Sequence, residues 1–80
     1  MSTSYLWGRF VDGTIDPMVG RFLREHLGSH TQGEFTLDRT LIAFLRGAMA
    51  ASIDPGLRDG LGKIIEAITE HGMIEIVETY

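Results

Sequence analysis

One stretch of the 80-residue chain alternates polar and apolar positions with period two, another is a short run of aromatic and β-favouring residues, and three others repeat apolar positions at helical spacing. The aromatic run, SYLWGRFV over residues 4–11, reads as a strand halted by a turn at Asp12-Gly13. It puts Leu6, Gly8 and Phe10 on one face and Tyr5, Trp7, Arg9 and Val11 on the other, and either set fits a core. The alternating stretch, MIEIVE after Gly72, places Ile74 and Ile76 on one face and Glu75 with Val77 on the other, and reads as a terminal strand.

Between them the helical punctuation is strong. Asp16 can cap exposed amides, Pro17 suits a first helical position and Gly28 a left-handed stop, so the spacing predicts a helix over 17–27 with Met18, Val19, Phe22, Leu23 and Leu27 on its apolar side. Gly20 is a poor helix former and suggests close approach of another backbone. A polar loop, SHTQGEF, precedes a second helix capped by Thr36 or Asp38. Its apolar positions Leu37, Leu41, Phe44, Leu45, Ala48 and Met49, widened by Ile42 and Ala43, mark it as the central helix. The third helix runs over 55–71, with Asp54-Pro55 repeating the Asp-Pro start, Leu57, Leu61, Ile64, Ile65 and Ile68 inward, and Gly56, Gly60 and Gly62 weakening its first half.

The pattern predicts an α+β domain of order β-α-α-α-β, three helices packed on a two-stranded antiparallel ribbon formed by the N- and C-terminal strands. At 80 residues the whole chain is one compact domain, able to bury only about 60% of its unfolded surface. A bare two-stranded ribbon is marginal in water and leaves unpaired edges, so a homodimer through the strand edges or an apolar helix face is expected.

Composition narrows the function classes. The 44% hydrophobic and 22% charged residues favour a folded chain, and the absence of cysteine removes disulfides, thiolate nucleophiles and thiolate metal sites. There is no signal-peptide pattern and no apolar run of membrane-spanning length, so the chain reads as complete and cytoplasmic, without a membrane partner. A net charge of −4 argues against direct nucleic-acid binding, which needs clustered Lys and Arg. The same charge opposes a winged-helix reading of EAITEHGMIEIVE.

No motif identifies a reaction. His26 and His30, with Glu25 and His71, have the spacing of metal ligands only on a continuous helix, and Gly28-Ser29 interrupts it. Ser29, His30 and Glu34 lack the elbow and oxyanion-hole signatures of nucleophilic catalysis. Phosphate-loop glycine patterns are absent. Carrier proteins are also small, acidic and helical, but they share an Asp-Ser-Leu stretch where this chain has Gly-Ser-His, and that identification is rejected. No catalytic residue, metal or cofactor is expected.

Two features remain. Tyr5, Trp7 and Arg9 combine residue types favoured at interface hot spots and could be presented by an edge strand. Through Lys63 the chain carries seven basic and seven acidic residues, so the excess negative charge comes from Glu66, Glu70, Glu75 and Glu78, which form a solvated face or an acidic surface that steers a basic partner. The expectation is a non-enzymatic, self-associating protein-interaction module that uses the aromatic strand or the acidic helix and strand. A narrower alternative is an inhibitor of a basic nucleic-acid-binding protein, of the immunity or phage counter-defence (anti-CRISPR-like) kind. A second alternative is a small-ligand or metal-binding domain using His26, His30 or the helix starts at Asp16 and Asp54.

Overall fold

The computed structural model describes residues 3–8, 12–27 and 34–79. Strand β1 (Thr3–Gly8) and strand β2 (Asp12–Ile15) lead into helix α1 (Pro17–Leu27). Strand β3 (Glu34–Asp38) passes through a 3-10 turn, Arg39–Leu41, into helix α2 (Ile42–Ala51). Helix α3 (Pro55–His71) and strand β4 (Met73–Thr79) complete the order.

The α+β class, the three helices and the antiparallel pairing of first and last strands are as the sequence indicated. That pair is the centre of a wider sheet. Two further antiparallel strands flank it, in the order β2-β1-β4-β3. Asp12-Gly13, expected as a turn, lies within β2, because its four residues pair with β1 from Ser4 to Trp7. Thr36 and Leu37, expected at the start of the second helix, lie in β3, where the alternation of Phe35 and Leu37 with polar neighbours is a strand period. Asp38 then provides the cap that the spacing suggested, accepting the Thr40 N–H at 3.0 Å.

Other starts and stops follow the residues that signal them. Asp16 accepts the Met18 N–H at 2.9 Å and Asp54 the Leu57 N–H at 2.8 Å. Gly72 adopts φ +84°, which a side chain would strain, and its N–H reaches the Ile68 carbonyl at 2.7 Å. The Arg39 guanidinium donates to the Thr69 carbonyl at 3.4 Å, adding a cation where the α3 carbonyls are unpaired. The stop expected at Gly28 lies outside the described residues.

One core fills the space between sheet and helices. Ile74 and Ile76 of β4, Leu37 of β3 and Ile15 of β2 meet Val19 and Leu23 of α1, Leu45 of α2, and Leu61, Ile64 and Ile68 of α3, all at most 4% exposed. The central helix is α3, not α2: six α3 residues are buried, against Leu45 alone in α2. Of the residues expected on the broad apolar side of α2, Ala43 and Phe44 are exposed, while Ile42 packs against the core.

The glycines of α3 explain how it takes the centre. A Cβ at Gly60 would sit 2.3 Å from Val19 Cγ2, and one at Gly56 would sit 2.3 Å from the Asp16 carboxylate, so α1 lies directly on this glycine-bearing side. A Cβ at Gly62 would meet Met49 Sδ of α2 at 3.6 Å. The residues that weaken α3 as an isolated helix thus form its seams with both neighbours. Gly20 is buried in α1.

Candidate functional site

Directly paired residues in an antiparallel sheet share a face. Leu6 pairs with Ile76 and Gly8 with Ile74, so these β1 positions belong to the core face. Tyr5 pairs with Val77 and Trp7 with Glu75, which assigns both aromatics to the opposite face. Strand periodicity left this choice open, and the partner strand decides it.

The opposite face has no layer packed over it among the described residues. Thr14, Thr36, Asp38, Met73 and Glu75 are exposed there and Val77 is half-buried. Across the strands, one row reads Thr14, Tyr5, Val77, Glu34 and the next Asp12, Trp7, Glu75, Thr36, with Met73 opposite Asp38 beyond them. Two aromatic residues and a valine thus occupy the inner strands, with carboxyl-bearing residues at Asp12, Glu34, Asp38 and Glu75. No Lys or Arg falls at a described position of this face.

The Asp38 carboxylate is held in its charged form by its own turn. The Thr40 hydroxyl and then the Thr40 N–H donate to its carboxylate and hold its pKa below the ordinary 3.8, desolvation opposing weakly. It is therefore ionised throughout the neutral range.

The expected site residues divide between surfaces. Tyr5, Trp7 and Glu75 come together on the open sheet face. Glu78 pairs with Ser4 and falls in register with the core face, while Glu66 and Glu70 are exposed on α3, in the layer across the sheet. The acidic C-terminal third is thus not one patch. Arg9 lies outside the described residues, as does His30. β1 is an inner strand, bonded on both sides, and not the edge expected, so its backbone is not free to pair with a partner strand. Asp12, Glu34 and Asp38 join the face although local sequence signals a turn, a loop and a helix cap at these positions.

A second feature lies on the helical side. Helices α1 and α2 both pack on α3, and a groove of about 600 Å³ lies between them. Phe22 and His26 form its α1 wall, Ala43, Phe44, Gly47 and Ala51 its α2 wall, and Ser52 and Leu57 lie at its end. The Phe22 and His26 rings stack at 4.3 Å, with Phe44 5.9 Å from Phe22. Phe44 is 40% exposed.

Among the described residues, no group of three or more His, Asp or Glu is placed to hold a metal, and no helix is long and apolar enough to cross a membrane. His71 lies at the end of α3, 3.8 Å from Glu70. The chain matches no protein-family model, and comparison with curated proteins and with solved structures finds no significant match.

Proposed function

We propose that this chain is a non-enzymatic protein-interaction module, acting in the cytoplasm, whose open sheet face receives a basic protein partner. The observation that supports it is the face itself, with Tyr5, Trp7 and Val77 on the inner strands, acids at Asp12, Glu34, Asp38 and Glu75, and no basic residue at its described positions. Aromatic residues supply contact area at low entropic cost, and surrounding carboxylates select and steer a cationic partner. A second copy is a poor occupant, since a two-fold contact would set these carboxylates against their own image. The premise for self-association also changes: it rested on a bare two-stranded ribbon, and the sheet has four strands with its own helical layer.

The narrower form of this reading is an inhibitor that covers the nucleic-acid groove of a basic protein. Clustered negative charge next to aromatic residues favours it, because such a groove is built to receive phosphates and stacked bases.

The test is an NMR titration of the labelled chain with deca-arginine and, as a control, deca-glutamate, at low and high salt. Deca-arginine is expected to shift amides of residues 12–14, 36–38 and 73–77, with affinity falling as salt rises. Glu34→Lys with Glu75→Lys should weaken binding about ten-fold or more, and Glu66→Gln with Glu70→Gln should leave it nearly unchanged. Shifts centred on α3, or loss of binding in the Glu66/Glu70 pair alone, would move the site off the sheet.

A further inference from the structure

The groove between α1 and α2 has features that the sheet-face reading does not use. Its walls are apolar and aromatic, but two polar groups line it with fixed hydrogen-bonding roles. His26 Nδ1 lies 3.0 Å from the Phe22 carbonyl. A carbonyl only accepts, so Nδ1 carries the proton and Nε2 of the neutral ring keeps its lone pair. Ser52 Oγ accepts the Asp54 N–H at 3.3 Å, which leaves its hydroxyl proton to donate.

We propose that this groove binds a small, uncharged, planar ligand that rests against Phe22 and Phe44 and donates a hydrogen bond to His26 Nε2. The volume of about 600 Å³ falls within the range of small-molecule sites, which are mostly apolar and oriented by a few polar groups. Among the described residues no Asp, Glu, Lys or Arg lines it, so a charged ligand would lose hydration there without meeting a counter-charge. Ala43, Gly47 and Ala51 keep the α2 wall low, and a Cβ at Gly47 would meet nothing within 4 Å.

A helix from a second copy fits less well. The α2 residues that line this groove, Ala43, Phe44, Gly47 and Ala51, carry no side-chain donor or acceptor, and helical amides are already bonded within their own helix. Covering the groove with that surface would leave His26 Nε2 and the Ser52 hydroxyl buried without partners, which opposes association.

The experiment titrates the labelled full chain with 2-naphthol, a planar probe with one hydroxyl donor, and with 2-methoxynaphthalene, which lacks the donor. 2-Naphthol should produce saturable shifts at residues 22, 26, 44, 47 and 52, and 2-methoxynaphthalene should bind about five-fold more weakly. His26→Phe keeps a ring in the stack and should erase the difference between the probes. Gly47→Leu places a side chain in open space and should weaken both by about ten-fold or more, with an unchanged amide spectrum elsewhere showing that it folds. Absence of saturable 2-naphthol binding, equal affinity for the two probes, or insensitivity to Gly47→Leu would overturn the proposal. So would sedimentation showing a dimer that Gly47→Leu separates, which would assign the groove to a second copy.

Discussion

Helices α2 and α3 are both predominantly apolar on one broad side, both contain glycine, and only one of them is buried. α3 loses Leu61, Ile64 and Ile68 entirely from solvent, while α2 gives up Leu45 and leaves Phe44 40% exposed. The difference lies in what their small residues do. Gly56, Gly60 and Gly62 admit α1 and α2 onto α3, whereas Gly47 faces open space. Hydrophobicity therefore does not locate a helix in this fold; the ability to be approached from several sides does.

The sharpest way to test this contrast is to remove one large side chain from each helix. Leu61→Ala, at a position with no exposure, should cost about 2–5 kcal/mol, because neighbours held by the sheet cannot collapse into the space. Phe44→Ala should cost less, about 1–2 kcal/mol, since much of the ring is already in water. Urea titrations with unchanged m-values provide both numbers. Equal losses would mean that the outer side of α2 is covered in solution, and a concentration-dependent loss at Phe44 would identify the cover as another copy.

The glycines test the same contrast with opposite signs. Gly60→Ala drives a methyl group to 2.3 Å from Val19 Cγ2, and overpacking of this kind costs about 1–3 kcal/mol. Adding Val19→Ala should recover part of that loss, because it removes the atom in conflict. Gly47→Ala meets nothing and replaces a poor helix former with the best, so it should stabilise the chain by about 0.5–1 kcal/mol. If both substitutions destabilise, α2 is not the open helix described.

Much of this was legible in the sequence where the signal was local. The Asp-Pro helix starts, the stop at Gly72 and the alternation of Ile74 and Ile76 act within a few residues and sit where their spacing put them. The flanking strands were hidden for physical reasons: β2 is four residues long and contains the Asp12-Gly13 pair that favours a turn, and β3 is five residues long and pairs with β4, a strand distant in sequence. The candidate face suffered from the same gap. Trp7 and Glu75 could be named individually, but only β4 lying beside β1 makes them neighbours, and only β2 and β3 bring Asp12 and Glu34 to the same side. The α1–α2 groove was unreadable because Phe44 and Phe22 both fit a core pattern, and nothing local reveals that a groove opens between their helices.

The smallest effect concerns how the chain enters each helix. Asp54, partly buried, caps α3, whereas exposed Asp38 caps the turn leading into α2. Because the Thr40 hydroxyl and N–H favour the ionised Asp38 carboxylate, its folded pKa lies below the ordinary value of 3.8. A group depressed in this way contributes stability that is fully present above its unfolded pKa and is lost as pH falls through the folded one. The gap in stability between the native chain and Asp38→Ala should thus be constant from neutral pH down to about pH 5, then close below 3.8. Urea midpoints for the pair at pH 7, 5, 4 and 3 measure it, the comparison cancelling the titration of the other carboxylates. A gap that persists undiminished at pH 3 would show that Asp38 holds the turn by shape and not by charge, and the way into α2 would then differ from the way into α3 in exposure alone.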